Sequence, residues 1–374
     1  MSQKFNICIA IPAKDELETL PQTLLSLAQS KPELLSKTLV TVNLNNTIDD
    51  PLSSEINQRT SNKILQESYP FTLKIIDRFS EELAYPQNRG VGLARKEAMD
   101  ESLNLLSDDA LILWLDADTL VAEDYLEKTY QYFLDHDDFQ CGHVNFQHQD
   151  AESPEIQKAI DDYELYLHYY AEALAYAGSP YGFRAIGSTI AVSKKAYKKV
   201  GGITAKKQAG EDFYFLQHHA KSFGKIHFIK DAFVYPSARF SERVPFGTGQ
   251  SLKQICESES STYLTYDLQS FELIKQSLKV LRTLNFETTV EESLAKLDKV
   301  HPLISHFFTR IKFDKSLPKL QKNSKNQEKL QESIMQLFDG FQTLRLINTL
   351  TEELFPKTPI QESWQKLLSL KNKI

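Results

Sequence analysis

Four apolar runs in the first third of the chain alternate with segments of helical period, and this alternation limits the fold more than any other feature. The runs are NICIAIPA from Asn6, TLVTVNL from Thr38, FTLKIIDR from Phe71 and ALILWLDA from Ala110. The first and fourth are almost continuously apolar, as expected of strands covered on both faces by helices. Between them lie LETLPQTLLSLAQS, with Leu17, Leu20, Leu24 and Leu27 at helical spacing, and GVGLARKEAMDESLNLL; EDYLEKTYQYFLDH follows the fourth run. The pattern predicts an α/β fold, a mostly parallel sheet flanked by helices. Ligands of such sheets bind beyond the carboxyl ends of the strands. The fourth run ends at such a point in two carboxylates, Asp116 and Asp118.

The middle third carries a long helical pattern, EIQKAIDDYELYLHYYAEALAYAG, whose apolar stripe is Ile156, Ile160, Tyr163, Leu167, Tyr170 and Leu174 and whose stop is Gly178. GSTIAVSKKAY reads as a strand entering a short helix, GEDFYFLQHHAKSFG as a helix and KIHFIKDAFVYP as a strand. After about Gln250 strand signals vanish and the pattern turns helical. In ESIMQLFDGFQTLRLINTL, Ile334, Leu337, Phe341 and Leu344 share a face. The expected division is a catalytic domain over residues 1–255 and a helical C-terminal appendage over 256–374. Seven basic residues against two acidic ones lie between Arg310 and Lys329, interrupted by Pro318. They read as a solvated linker or helix face, with a patch for acidic lipid headgroups or an acidic partner as the alternative.

Hydrophobic residues at 41% and aromatics at 11% suffice for a substantial core. A formal charge of −7 argues against a general nucleic-acid binder. Cys8, Cys141 and Cys256 are few and far apart, and read as reduced, buried thiols of a cytosolic protein. The N-terminal run is short and followed at once by Lys14, Asp15 and Glu16, unlike a signal peptide. No window reaches the roughly 18 apolar residues of a membrane span. A soluble, cytoplasmic protein is expected, with peripheral membrane contact as the most a membrane would offer.

An Asp-x-Asp triplet alone is weak evidence, and the chain holds a second one, Asp135 to Asp137, in a polar stretch that reads as a solvated loop. LWLDAD differs because two carboxylates at a buried strand end are not easily desolvated together without a cation. Hard oxygen ligands suit Mg²⁺ or Mn²⁺; the alternative is a cap for the helix that starts near Ala122. Further residues share this setting. IPAKDE places Pro12 and Glu16 at the end of the first strand. NRGVGLAR places two glycines at a helix start, followed by Arg95. GGITAKKQAGEDFYF places Glu211 and Asp212 at a helix N-terminus. YPSARFSERVPFGTGQ places Arg239 and Arg243 four apart, suited to a diphosphate or a phosphorylated acceptor, or simply to surface ion pairs.

In this order and spacing the segments IAIPAKDELETLPQTLLSL, NRGVGLARKEAM, WLDADT and GSTIAVSKKAYKKVGGI followed by GED resemble the family 2 glycosyltransferases of the A-type nucleotide-sugar fold, over roughly Phe5 to Gln250. The resemblance implies sugar transfer from a nucleoside-diphosphate sugar to an acceptor hydroxyl. Pro12, Ala13 and Glu16 would line the nucleotide pocket, and Arg95 would approach the nucleotide. Asp116 would face the ribose or sugar, and Asp118 would hold a Mn²⁺ or Mg²⁺ ion at the diphosphate. Asp212 would be the general base of an inverting transfer, with Glu211 beside it. The chain departs from the family pattern after the second strand, where Asn43 and Asn45 replace the usual base-contacting aspartates; Asn45 can still meet a nucleobase edge. The Q-x-x-R-W motif of processive members is missing, so a non-processive enzyme is expected. His218, His219 and His227 are candidates for a third metal ligand. The acceptor stays open between a saccharide, a lipid-linked molecule and a small phosphorylated molecule. Two other classes compete. A nucleotidyltransferase making nucleotide sugars would need a glycine-rich phosphate loop that IPAKDELETL lacks. A non-catalytic nucleotide-sugar-binding protein would not need Asp118 and Asp212.

Overall fold

The computed structural model describes residues 4–87, 89–203, 210–240, 248–257 and 262–372. The chain divides into two compact units. The first comprises Met1–Glu164 and Ala185–Ser258, the second Leu165–Arg184 and Glu259–Ile374.

The first unit is built on strands β1 (Phe5–Ala13), β2 (Thr38–Asn45), β3 (Thr72–Arg78), β4 (Leu106–Trp114), β5 (Leu120–Val121), β6 (Cys141–Phe146), β7 (Ile190–Ser193) and β8 (His227–Tyr235). They form one sheet in the order β3-β2-β1-β4-β7-β6-β8-β5. β3, β2, β1 and β4 run parallel, with Ala13 opposite Leu44 and Ala10 opposite Trp114. Their carboxyl ends therefore share one edge, and Asp116 and Asp118 follow there. β7 runs antiparallel to both β4 and β6. The run from Ile7 to Ala13 is buried throughout, as its unbroken apolar pattern predicts.

The helices of this unit are α1 (Thr19–Leu27), α2 (Pro32–Leu35), α3 (Pro51–Leu65), α4 (Val91–Asp100), α5 (Tyr125–Asp135), α6 (Pro154–Tyr176, continuing into the second unit), α7 (Lys194–Lys199), α8 (Glu211–Phe223) and α9 (Thr248–Glu257). Leu20, Leu24 and Leu27 of α1 are buried, as their spacing requires. α3 and β6 were not legible in the sequence. α3 is largely polar, and is set by Pro51 at its first turn and by Asp50, whose side chain accepts from Ser53 N at 3.2 Å. Asp135 and Asp137 lie exposed at the end of α5 and beyond it, in keeping with a solvated turn.

The second unit packs helices around Phe271, Leu278, Phe307, Phe308, Leu346 and Ile347. Tyr169, Ala173, Leu174 and Ala177 belong to this same core. That burial draws Leu165–Arg184 into the helical unit, although the sequence reading places it before the boundary. Three expectations for this region are corrected. The face shared by Ile334, Leu337, Phe341 and Leu344 is broken, because one helix ends at Leu337 and another begins at Gly340. Asp339 caps the new helix, accepting from Gln342 N at 3.0 Å, and Phe341 is left exposed. Pro318 does not interrupt the basic stretch but lies inside the helix Phe313–Asn323, on its exposed side. Strand structure does not vanish either, since Leu264–Thr265 pairs antiparallel with Thr358–Pro359. Cys256 corrects a fourth: it is exposed, while Cys8 and Cys141 are buried. No described helix is long and apolar enough to cross a membrane.

Candidate active site

The carboxyl ends of β1 and β4 bring two acid clusters into one region of the first unit, each organised by an arginine. The first is built on Arg95. Gly90 stands at the N-cap of α4, and Arg95 on the buried side of that helix is only 1% exposed. Its Nη2 donates to Asp116 Oδ1 at 2.6 Å and its Nη1 to the carbonyl of Gly187 at 3.3 Å. Its Nε lies 3.6 Å from Glu211 Oε1, and its guanidinium sits 4.8 Å from the centre of the Trp114 ring. Burial disfavours the charge of Arg95, but Asp116 and Glu211 more than compensate and hold its pKa above the ordinary value. Arg95, for which the resemblance implies an approach to the nucleotide, is enclosed and ties the end of β4 to the start of α8.

Gly187 belongs to this cluster and was not singled out in the sequence. A Cβ there would lie 2.9 Å from Arg95 Nη2 and 3.3 Å from Asp116 Oδ2. The position needs a residue without a side chain for steric reasons that no local pattern announces.

Glu211 and Asp212 open α8 directly after Gly210, whose φ of 96° is left-handed backbone that glycine adopts without strain. Glu211 is buried, against Gly92 of α4. Asp212 is half-buried, and its Oδ1 accepts from Phe213 N at 2.7 Å. Burial, and after it the Glu211 carboxylate, pushes the Asp212 carboxyl up to about 7. A carboxyl poised there can take a proton near neutral pH.

The second cluster joins Glu16, Asp118 and Arg239. Arg239 follows the end of β8; its Nη2 reaches Glu16 Oε1 at 2.5 Å and Asp118 Oδ2 at 2.7 Å, while its Nε donates to the same Asp118 oxygen at 3.0 Å. Thr19 donates its hydroxyl to the other Glu16 oxygen. Glu16 is aimed inward by the turn before it. Asp15 has a φ of 57°, its N–H donates to Asn57 Oδ1 at 3.1 Å, and its Oδ2 accepts from Ser53 at 2.8 Å. Burial, then the Glu16 charge, raises the Asp118 carboxyl to about 6 against the opposing pull of Arg239. Arg243 lies outside the described residues.

Ala13 is buried at the end of β1, where its carbonyl accepts from Asn45 Nδ2 at 3.0 Å. Asn45 also donates to the Asn43 carbonyl at 3.0 Å, so its amide nitrogen is committed to the backbone. Asn43 is buried and donates to Tyr85 Oη and to the Ala94 carbonyl. Pro12 sits in the buried run of β1. The histidines stand apart. His219 is buried in α8, where its Nδ1 lies 2.9 Å from the Phe215 carbonyl and burial lowers its pKa to about 4. His227 is at the far end of β8 among Tyr132, His136 and Phe139, and His218 is exposed. Among the described residues no group of three or more His, Cys, Asp or Glu side chains converges to hold a metal.

The family model described as glycosyl transferase family group 2 matches residues 111–255. That segment contains Asp116, Asp118, Glu211, Asp212 and Arg239, and leaves Pro12, Ala13, Glu16, Asn45 and Arg95 outside. No curated protein matches the chain in sequence. Among solved structures, the chain is similar to S. aureus TarS in complex with UDP-GlcNAc, at 12% identity and a TM-score of 0.43, covering 89% of this chain and 90% of that one. It is similar also to the mannosyltransferase PcManGT of Pyrobaculum calidifontis in complex with GDP-Man and Mn²⁺, at 12% identity and a TM-score of 0.43, covering 99% and 81%. Glucosyl-3-phosphoglycerate synthase of Mycobacterium tuberculosis in complex with UDP is similar at 15% identity and a TM-score of 0.38, covering 71% and 85%.

Proposed function

We propose that this chain, a family 2 glycosyltransferase by the match of residues 111–255, moves a sugar from a nucleoside-diphosphate sugar to an acceptor hydroxyl with inversion, Asp212 acting as the base. The observation that carries this reading is the place of Asp212, a neutral-range carboxyl at the start of α8, next to Glu211, which together with Asp116 after β4 flanks the buried guanidinium of Arg95. Asp212 takes the acceptor proton as the oxygen attacks. Attack opposite the departing diphosphate inverts the anomeric centre. Asp116, fixed by Arg95, faces the sugar or ribose; Glu211 neutralises Arg95 from the other side and keeps the start of α8 in place.

The donor chemistry also calls for a positive charge at the diphosphate. Asp118 and Glu16 offer hard carboxylate oxygens close to one nitrogen of Arg239, and two carboxylates with phosphate oxygens are a usual Mg²⁺ or Mn²⁺ environment. These two residues would hold the ion, which when bound neutralises the leaving group. Arg239, and Arg243 beyond the described residues, are suited to the diphosphate or a phosphorylated acceptor. Pro12, Ala13 and Asn45 would line the nucleotide pocket chiefly through backbone and shape, since the Asn45 amide nitrogen is committed to the backbone. The division of labour gives the chemistry to residues 1–255 and none to the helices that follow. The free cysteines fit a reducing cytoplasm.

A thermal-shift screen of UDP, GDP, CDP and dTDP sugars with Mn²⁺, followed by hydrolysis assays on those that bind, tests the reading. One sugar nucleotide should stabilise the protein, and Asp118→Ala should remove that metal-dependent shift. If no nucleotide sugar binds or is hydrolysed, the reading fails.

A further inference from the structure

We propose that Arg239 is the resting counter-ion of the acidic site, so that a divalent cation reaches Asp118 and Glu16 by displacing this guanidinium. The inference rests on the reading of Asp118 as a metal ligand. Two nitrogens of Arg239 crowd one oxygen of Asp118, at 2.7 and 3.0 Å, and the nearer also bonds Glu16 at 2.5 Å. A carboxylate oxygen has two lone-pair directions, so Arg239 fills the Asp118 Oδ2 positions that face Glu16. The other Glu16 oxygen is held by Thr19. Two carboxylates this close need a compensating cation, and Arg239 supplies one before any ion arrives. A guanidinium and a dication on the same oxygens repel each other, so the two bind in competition.

Arg239 is placed to leave. Its side chain is 35% exposed, and it stands beyond the last residue of β8, on backbone without regular structure. By contrast Arg95, which holds the other acid cluster, is enclosed and cannot exchange. The metal affinity of the free protein is thus set by a displacement. An anion that offers Arg239 a new partner, such as a diphosphate, makes that displacement easier, which couples donor and metal binding.

Mn²⁺ alone, titrated into the full chain with free Mn²⁺ followed by electron paramagnetic resonance, tests this. Arg239→Ala should bind Mn²⁺ about tenfold or more tightly than the parent, and Arg239→Lys should fall between. Adding Asp118→Asn to Arg239→Ala should abolish the gain. Arg239→Gln, neutral but of similar length, carries the same expectation should the alanine variant not fold. Mn²⁺ binding that depends on Asp118 in the parent, but is unchanged or weaker without Arg239, overturns the displacement and leaves the metal site standing. Absence of Asp118-dependent binding in every variant overturns the metal site, and the displacement with it.

Discussion

Arg95 and Asp116 are joined end to end, Nη2 to Oδ1 at 2.6 Å, with the arginine fully enclosed and the aspartate open on one side. The same guanidinium approaches Glu211 to 3.6 Å. One buried side chain from α4 thus fixes an acid after β4 relative to the acids that open α8. Sequence separation hides this, because Arg95 lies 116 positions before Glu211.

Removing Arg95 leaves two acids facing an empty buried space. Arg95→Ala should lower stability by about 3–5 kcal/mol, the cost of breaking a buried charge pair from one side. Arg95→Lys should recover only part of this, since an ammonium cannot reproduce the forked contacts to Asp116 and Gly187. Urea denaturation measures both. A loss below about 0.5 kcal/mol for the alanine variant would mean that the acids do not depend on Arg95.

Gly187→Ala should act through the same pair. The added methyl would sit 2.9 Å from Arg95 Nη2, and the enclosed arginine has no room to retreat. A destabilisation of about 1–3 kcal/mol is expected, with a fall in transfer rate from the displaced Asp116. Gly90→Ala is the control, because nothing lies within 4 Å of its added carbon; it should keep near-parental transfer. Equal behaviour of the two variants would contradict the steric account.

Asp212 determines the expected pH dependence. Its carboxyl titrates at about 7 in the folded protein, above the ordinary range near 4. If Asp212 is the base, as proposed, its deprotonated form is the active one and kcat/KM should rise with pH through about 7. Stability runs the other way. Between pH 4 and 7 the folded state holds the proton more firmly than the unfolded chain, so stability is largest at the acid end of that window and declines as pH rises through it. Asp118, raised to about 6, adds a decline of the same sign. Asp212→Asn should keep folding and donor binding, cut transfer roughly 10²-fold or more, and flatten the stability decline. Glu211→Gln should cost less transfer. Near-parental turnover by Asp212→Asn would remove the base assignment.

The thiols give an independent check on the fold. Burial pushes Cys8 up to about 11 and raises Cys141 further still, so neither forms a thiolate readily. Cys256 is exposed. A thiol reagent should modify one cysteine in the native protein and three after denaturation. Rapid reaction of a second native thiol would place Cys8 or Cys141 at the surface.

The alternation of apolar runs and helical patterns was enough to determine the α/β class, the four parallel strands and the position of Asp116 and Asp118 at their carboxyl edge. Those features depend on local period and on which residues avoid water, and both are written along the chain. α3 escaped because its buried face is mostly polar, with Ser53, Asn57, Thr60 and Ser61 beside Ile64. The break at Asp339 escaped because a cap and a continuing helix can share one apolar spacing. Only the tertiary structure decided that Arg95 is enclosed, that Asn45 turns its amide nitrogen to the backbone, and that Leu165–Arg184 joins the helical unit. It also brought Arg239 across 223 positions to Glu16. Charge pairing and steric fit of this kind depend on distances between remote segments. Such distances exist only after the sheet order and the helix packing have been set.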